Sequence, residues 1–256
     1  MGYWTNKVVM ITGASSGIGK GVALELASRG ANLGLLARRD DLLNEIVAEA
    51  TARGVKAIAA PADVRDARAV RAAADRFRSE LGPIDVLIAN AGIGTADHAL
   101  KLAPEHASDV ININVLGAIN SVSAVAPEMV ARGQGRLVAM SSLAAYRGLP
   151  KSAAYCASKA AMTAYFESVR IDLRNTGVGV TIIYPGFIKT DFTAGRAAKM
   201  PYLMELDYAV KKIVSAIEKE KKTYAFPWQL AAIVRSGLIM PASMYDWIAG
   251  RNSYRE

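Results

Sequence analysis

The sequence lacks the features of disulfide-rich, secreted and membrane-spanning proteins. It has one cysteine, Cys156, in 256 residues, so an intrachain disulfide is impossible and a reducing compartment is expected. No long apolar segment or cleavage site precedes the first apolar run, so residues 1–7 do not resemble a secretion signal. The most apolar late stretch, 224–244, is interrupted by two prolines and an arginine and is too broken to span a bilayer. These absences predict a cytoplasmic protein.

Histidine is also scarce, and the basic charge has no nucleic-acid pattern. His98 and His106 lie without a carboxylate or thiolate partner at metal-ligand spacing, so no metal site is expected. The net charge of +8 raises nucleic acid, an anionic membrane or a phosphorylated ligand as partners. Because acidic residues are scattered among the basic ones and no basic stripe is interleaved with aromatics, nucleic acid is not an expected partner.

Apolar runs of strand length alternate with amphipathic helical stretches along the chain. Strands are predicted at 7–11, 32–36, 55–60, 84–89, 136–140, 178–184 and 224–226, and helices at 17–29, 41–53, 67–80, 152–175 and in a long stretch ending near Met129. Short connections between alternating elements imply right-handed crossovers and a parallel sheet. The predicted fold class is therefore α/β, with one doubly wound, Rossmann-like parallel sheet, helices on both faces, and a single domain over 1–256.

A glycine-rich turn follows the first predicted strand. Residues 12–19 read Thr-Gly-Ala-Ser-Ser-Gly-Ile-Gly, a G-x-x-x-G-x-G spacing rather than the common G-x-G-x-x-G. Glycine permits positive φ and close backbone approach, and the following helix N-terminus favours an anion such as a pyrophosphate. A turn without a ligand is the alternative, but its place after the first strand of a doubly wound sheet favours a dinucleotide. The predicted contacts are Gly13, Ser15, Ser16, Gly17, Ile18 and Gly19.

This turn resembles that of the short-chain dehydrogenase/reductase superfamily, in its single-domain branch of about this length. The resemblance extends from Lys7 to about Thr190. It implies an oxidoreductase that transfers hydride between a nicotinamide dinucleotide and a carbonyl/alcohol pair. The further cofactor contacts that it implies are Asp63 and Val64 after the third strand, Asn90, Ala91 and Gly92 after the fourth, and Pro185, Gly186, Ile188 and Thr190 after the sixth.

The end of the second strand bears on the choice of dinucleotide. An acidic residue there would bind the ribose 2′-hydroxyl of NAD and repel the 2′-phosphate of NADP. Ala37 occupies that position, and Arg38 and Arg39 follow it. Because guanidinium groups suit a phosphate, NADP(H) is predicted, with NAD(H) as the alternative if these arginines are merely solvated. One of the aspartates at 40–41 is predicted to cap the helix that begins near Leu42.

Tyr155 and Lys159 lie four residues apart in a predicted helix and so project from one face. The same Y-x-x-x-K pattern occurs at 3–7 and 208–212, but only Tyr155 follows the fifth strand, with Ser142 thirteen residues before it. Carbonyl reduction needs a proton donor, and a phenol has a reference pKa near 10. Lowering that pKa by about three units takes roughly 4 kcal/mol of differential interaction, part of which a nearby ammonium can supply.

The resemblance assigns a role to each of these residues. Tyr155 would be the general acid and base, Lys159 would also bind the nicotinamide ribose, and Ser142 would hydrogen-bond the substrate oxygen. Asn114, which fits the family's pattern better than Asn112, would hold a water in a proton relay behind the lysine. Cys156, beside the tyrosine, is interpreted as a small buried hydrophobic residue.

The late part of the chain is predicted in less detail. Residues 190–206 are irregular, and the resemblance implies that they form a substrate lid. Their apolar content favours a hydrophobic substrate. Residues 224–256 form an apolar C-terminal extension preceded by lysines, which could rest on an anionic membrane, fold over the active site or join subunits. The resemblance also implies a homodimer or homotetramer through the helix at 152–175 and the one before it.

Two other functions remain open besides a carbonyl reductase or alcohol dehydrogenase. A non-catalytic dinucleotide-binding sensor or scaffold would be favoured by a broken set of catalytic residues, and the set is intact. An epimerase or dehydratase with the same tyrosine–lysine pair is usually longer than this chain.

Overall fold

The computed structural model describes residues 2–194 and 200–251, and its central feature is a parallel sheet with helices on both faces. The strand order is β3-β2-β1-β4-β5-β6-β7, and all neighbouring pairs are parallel. The strands are β1 (Val8–Thr12), β2 (Asn32–Ala37), β3 (Ala57–Pro61), β4 (Val86–Ala89), β5 (Gly135–Met140), β6 (Val178–Pro185) and β7 (Thr223–Phe226). This confirms the predicted doubly wound fold and the single domain.

The sheet reverses its strand order at β1, and this point positions the site. Val9 pairs with Leu33 on one side and Val86 on the other, so β1 lies between β2 and β4. All five residues of β1 are buried, as expected for a strand covered on both faces. In open parallel sheets a crevice for ligands forms at the carboxyl ends of the strands beside such a reversal.

Nine α-helices are present in the described residues, and helices pack on both faces of the sheet. They are α1 (Gly17–Ser28), α2 (Asp40–Ala52), α3 (Ala67–Leu81), α4 (Pro104–Ile111), α5 (Gly117–Ala131), α6 (Ala153–Asp172), α7 (Leu206–Glu218), α8 (Trp228–Ser236) and α9 (Ala242–Arg251). Apolar side chains of α1, α2 and α7 form the core on one face, and those of α3, α5 and α6 form the core on the other.

The helix predicted to end near Met129 is interrupted. A π-helical turn at Asn112–Leu116 joins α4 to α5, and such turns often lie at functional sites. Pro104–Ala131 is the one helical stretch within the described ranges whose length and composition would suffice to cross a membrane. Because 44% of its most apolar window is buried and it packs against α3 and α6, we interpret it as a core helix.

Several predicted element ends were wrong by a few residues, and one error concerns a helix cap. The helix predicted to begin near Leu42 begins at Asp40, and its N-cap residue is Arg39, which makes no side-chain cap hydrogen bond. Asp40 and Asp41 therefore lie in the first turn, where their charges still suit the helix dipole. The third and fourth strands begin two residues later than predicted.

A strand separates the lysines from the first helix of the apolar extension. Lys219, Lys221 and Lys222 come before β7, and the apolar α8 begins after it. The two groups thus flank opposite ends of a strand, roughly 13 Å apart. Contact of the extension with an anionic membrane stays a prediction.

Candidate active site

A cavity of about 850 Å³ opens at the carboxyl ends of the strands. It lies at the predicted crevice and brings residues from distant parts of the chain together. Except for Gly19 and Asn114, all of the predicted site residues line it: Gly13, Ser15, Ser16, Gly17, Ile18, Arg38, Arg39, Asp63, Val64, Asn90, Ala91, Gly92, Ser142, Tyr155, Lys159, Pro185, Gly186, Ile188 and Thr190.

The glycine turn has geometry that only glycine satisfies. Gly13 and Gly17 have φ of 65° and 53°, in the left-handed region that other residues rarely adopt. A Cβ on Gly13 would lie 2.7 Å from the Cα of Ala91, and a Cβ on Gly19 would lie 2.3 Å from the carbonyl oxygen of Gly13. Gly19 is buried. It does not line the cavity and instead allows α1 to pack closely on the turn, so its part in holding a cofactor stays a prediction.

A threonine that sequence reasoning missed joins the glycine turn to β4. The Thr12 hydroxyl accepts hydrogen bonds from the backbone N–H groups of Asn90 and Ala91, both at 3.1 Å. The Asn90 amide donates in return to the carbonyl oxygens of Thr12 (3.1 Å) and Gly13 (3.2 Å). The predicted cofactor residue Asn90 thus also fixes the relative position of two strand ends.

The exit of β2 carries guanidinium groups and no carboxylate. Ala37 is the last residue of the strand and is buried at the cavity wall. Arg39 donates to the hydroxyls of Ser15 at 2.9 Å and Ser16 at 2.7 Å, so its charge lies across the glycine turn. Arg38 is exposed at the same edge. A phosphate at this edge would meet positive charge.

Asp63 lies at the cavity wall but already has a partner. Its carboxylate forms an ion pair with Arg65 at 2.8 Å, and the side-chain hydrogen bond from Arg65 lowers the pKa of Asp63. Arg65 also contacts Asp109 at 3.0 Å. The aspartate is therefore ionised and held in place at the cavity wall.

Tyr155 and Lys159 lie one turn apart on α6 and both reach the cavity. The Lys159 ammonium is 5.8 Å from the centre of the Tyr155 ring and donates to the carbonyl oxygen of Met140 at 2.8 Å. Burial of the lysine lowers its pKa from 10.5 to about 8. At neutral pH it is therefore a buried cation close to the phenol, and under mildly alkaline conditions it loses that charge.

The two neighbouring serines after β5 have different environments. The Ser141 hydroxyl is buried and lies 2.9 Å from the Thr163 hydroxyl and 3.2 Å from the carbonyl oxygen of Lys159. The Ser142 hydroxyl lines the cavity and accepts from the N–H of Ala144 at 3.1 Å. Because Ser142 accepts in that bond, its own hydrogen can be donated to a ligand.

Asn114 lies in the π-helical turn, fully buried behind the cavity wall. Its amide oxygen accepts from the N–H of Ile93 at 2.8 Å, and its amide nitrogen donates to the Ile93 carbonyl and to the Ser158 hydroxyl, each at 2.9 Å. Asn112 instead bonds Ser108 on its own helix. The side chain of Asn114 thus ties the loop after β4 to α6, and the proposed relay water stays a prediction.

The segment after β6 covers one side of the cavity. Thr190 lies against the glycine turn, since a Cβ on Gly17 would be 3.6 Å from its methyl carbon. Thr190 and Thr193 cap each other around a short helical turn, and the Phe192 ring lies 5.8 Å from the ring of Tyr155. Part of the predicted lid, residues 195–199, lies outside the described residues.

The C-terminal extension forms the opposite wall. Its cavity-lining side chains are mostly apolar: Leu230, Ile233, Val234, Met240, Tyr245, Ile248 and Ala249. Of the three interpretations of this extension, folding over the cavity matches these contacts, while contact with a membrane or a second subunit stays a prediction.

The two histidines lie outside this cavity. His106 is 3.1 Å from the carboxylate of Asp97, a pairing that the sequence spacing had not suggested. Across residues 2–194 and 200–251, no three His, Cys, Asp or Glu side chains are grouped as metal ligands.

Comparisons with known proteins agree with this architecture. A model of the short chain dehydrogenase family matches residues 7–201. An uncharacterized oxidoreductase of Myxococcus xanthus is 42% identical over 251 residues, which cover 98% of this chain and 99% of that protein.

Two solved structures extend the similarity to three dimensions. A short chain dehydrogenase/reductase of Burkholderia phymatum in complex with NAD has a TM-score of 0.84 at 26% identity, covering 92% of this chain and 94% of that one. An alcohol dehydrogenase of Thermococcus sibiricus complexed with 5-hydroxy-NADP has a TM-score of 0.78 at 28% identity, covering 86% and 94%. The chain therefore belongs to the short-chain dehydrogenase family of oxidoreductases.

Proposed function

We propose that this protein transfers hydride between NADP(H) and a carbonyl/alcohol pair on an apolar substrate. The observation that carries the proposal is that Tyr155, Ser142 and Lys159 line the same cavity as the glycine turn. When bound, the nicotinamide would donate a hydride to a carbonyl carbon, or accept one from an alcohol carbon.

The residues of the cradle fit a dinucleotide. Gly13 and Gly17 leave the floor of the turn without side chains, and α1 directs its N-terminus toward the cavity, which favours a pyrophosphate. A Cβ on Gly92 would lie 3.4 Å from the Lys159 ammonium and 3.2 Å from the Asn114 amide oxygen. The absence of that Cβ leaves the space beside the lysine open to a ribose.

The β2 exit supports NADP(H) over NAD(H). Ala37 offers no carboxylate to the ribose 2′-hydroxyl, and Arg39 lies across Ser15 and Ser16 with its guanidinium in hydrogen-bonding distance of both hydroxyls. A 2′-phosphate would gain charge-assisted hydrogen bonds there. One similar structure holds NAD and another holds an NADP derivative, so these structures favour neither nucleotide. The proposed preference for NADP(H) therefore rests on the residues at the β2 exit.

The proton chemistry follows from the residues around Tyr155. In the reductive direction the phenol gives its proton to the substrate oxygen as the carbon gains hydride, and in the oxidative direction it takes the proton back. The buried Lys159 cation stabilises the phenolate that remains. The Ser142 hydroxyl donates to the substrate oxygen and stabilises the charge that builds there. Asn114 would hold the water that returns a proton to this pair.

The walls of the cavity support an apolar substrate. Phe192 lies beside Tyr155 on one side, and the inward side chains of α8 and α9 are mostly aliphatic or aromatic on the other. Burying such a surface against a substrate chain contributes roughly 25 cal/mol per Å². We therefore expect substrate affinity to rise with the length of an apolar chain until the cavity is filled.

A carbonyl panel with reduced nicotinamide absorbance as the readout tests this function. We expect turnover with NADPH that improves along a series of ketones or aldehydes of increasing chain length. The Tyr155→Phe variant should lose turnover, while Tyr208→Phe, which alters an exposed tyrosine in the same Y-x-x-x-K spacing, should keep it. Tight NADPH binding without turnover of any carbonyl or alcohol would favour the sensor or scaffold instead.

The remaining expectations concern assembly and location. A homodimer or homotetramer through α5 and α6 fits the family resemblance, and Leu116 and Val130 leave apolar surface exposed at and beside α5. A cytoplasmic location stays a prediction, as does peripheral membrane contact through the C-terminal extension.

A further inference from the structure

The outer wall of the cavity has little core packing of its own. No residue of α9 is buried, although Tyr245, Ile248 and Ala249 on that helix line the cavity. Its other side exposes Met244 and Trp247. Because apolar packing holds a helix mainly through buried area, some other contact must keep this wall in place.

Arg147 supplies that contact from the loop between Ser142 and Tyr155. Its guanidinium donates to the carbonyl oxygen of Met240 at 3.0 Å and also to that of Gly237. The same group stacks on the Tyr245 ring, 4.0 Å from its centre. One arginine therefore bridges the connection between α8 and α9 and the first turn of α9.

Tyr245 completes the connection in the other direction. Its hydroxyl donates to the carbonyl oxygen of Gly148 at 2.5 Å, next to Arg147 in the chain. The loop at 147–148 and the wall are thus joined in both directions, by hydrogen bonds from Arg147 to the wall and from Tyr245 back to the loop. Charge-assisted bonds to an aligned guanidinium are among the stronger side-chain contacts.

A second contact ties the start of the wall to the sheet. Arg235 donates to the Tyr146 hydroxyl at 3.0 Å, and Tyr146 stacks on Tyr184 with ring centres 5.1 Å apart. Tyr184 lies in β6, so the loop that carries Tyr146 and Arg147 is itself anchored to a rigid element.

We propose that Arg147 is a positioning residue that, together with Tyr245, holds 237–251 closed as the outer wall of the substrate cavity and thereby sets how large an apolar substrate is bound. The contacts lie on the substrate side, away from the glycine turn. Their loss therefore acts on substrate affinity and leaves dinucleotide affinity unchanged. The substrate part of this inference rests on the proposed function, whereas the closure of 237–251 does not.

The test replaces Arg147 with methionine, which keeps the length of the side chain and removes its hydrogen bonds. Arg174→Met is the matched control, because Arg174 is exposed at the other end of the sheet. Amide hydrogen exchange in the protein without ligand should become faster at 237–251 in Arg147→Met and stay as in wild type in Arg174→Met. A rise of about tenfold in the exchange rate matches the loss of hydrogen bonds to a charged group.

Kinetics give the second readout. For the longest apolar carbonyl that is turned over, KM should rise about tenfold in Arg147→Met, while the kcat for a short carbonyl and the Kd of NADPH stay within about twofold. Arg147→Lys should recover part of the KM effect, because an ammonium can still donate to one carbonyl but cannot stack as a planar group.

The outcomes separate this inference from the proposed function. Unchanged exchange at 237–251 in Arg147→Met would overturn the closure, whatever the activity. Faster exchange at 237–251 with an unchanged KM for the long carbonyl would overturn the role of this closure in substrate specificity. If wild type turns over no carbonyl, the proposed function fails while exchange still decides the closure. Tyr245→Leu, which removes both the ring and the hydroxyl, serves the same test if Arg147→Met does not fold.

Discussion

The proposed function divides the cavity into a dinucleotide side, formed at the carboxyl ends of β1, β2 and β4, and a substrate side, formed largely by residues 228–251. On the dinucleotide side, buried strands in parallel register and the Thr12–Asn90 hydrogen bonds hold the backbone in place. On the substrate side, α9 has no buried residue and depends on the contacts of Arg147 and Tyr245. A shared cavity can thus join a rigid cofactor cradle to a wall whose shape is set by a few side chains.

The largest expected effect on this comparison comes from Ser142, at the boundary of the two sides. Ser142→Ala removes the hydroxyl that would donate to the substrate oxygen, so kcat should fall by about a hundred- to a thousandfold with little change in NADPH affinity. Steady-state kinetics and NADPH titration measure the two quantities. Ser141→Ala is the control, and it should lower stability more than kcat because Ser141 is buried against Thr163. Equal kcat losses in both variants would contradict the different roles given to Ser142 and Ser141.

The next effect tests the rigidity of the dinucleotide side. Gly19→Ala places a Cβ only 2.3 Å from the Gly13 carbonyl oxygen, so NADPH affinity should fall between about ten- and a hundredfold, the range expected from overpacking. Gly250→Ala changes a helical glycine with nothing near its Cβ and should leave binding unchanged. Wild-type affinity in Gly19→Ala, measured by fluorescence titration, would mean that the turn is less constrained than its contacts indicate.

The residues of the two sides also differ in how far they could be predicted from the sequence. The glycine turn, Tyr155, Lys159 and Ser142 were predicted because each depends on spacing within one element or next to one strand end. Thr12 and Arg147 were missed because their partners lie 78 and 93 residues away, and no local pattern indicates such pairs. A threonine directly before the first glycine was the one available signal.

The misplaced cap at α2 has a similar cause. Aspartate is favoured both at an N-cap and in the first helical turn, so composition alone did not distinguish a helix starting at Asp40 from one starting near Leu42. The extended backbone of Arg39 decides it, and that conformation places the guanidinium across the glycine turn.

A smaller effect sharpens the choice of dinucleotide. Arg39→Met removes the guanidinium at the β2 exit, so NADPH affinity should fall about tenfold, as expected for lost hydrogen bonds to a charged group. NADH affinity should change little, because NADH has no 2′-phosphate. Parallel titrations with NADPH and NADH measure the ratio of the two affinities in wild type and in the variant. An equal loss for both would show that Arg39 orders the turn through Ser15 and Ser16 instead of reading the phosphate.

A separate expected effect concerns stability and pH. Burial lowers the pKa of Lys159 from 10.5 to about 8. Between these values the unfolded chain keeps a proton that the folded chain has lost, so this group makes stability rise with pH. Relative to Lys159→Met, wild type should gain about 2 kcal/mol in its free energy of unfolding between about pH 7 and pH 9.5.

Denaturant titrations of the protein without ligand at both pH values measure that difference. Lys56→Met, at an exposed lysine, should show no such pH dependence relative to wild type. If the difference between wild type and Lys159→Met stayed constant with pH, burial would not lower the pKa of Lys159.

The central claim is that Tyr155 exchanges the proton in the same cavity that holds the dinucleotide, and single-turnover kinetics of Tyr155→Phe test it most directly. With NADPH bound and saturating carbonyl, hydride transfer should slow by about a hundred- to ten-thousandfold, while the Kd of NADPH stays at the wild-type value. Hydride transfer at the wild-type rate in this variant would contradict the claim.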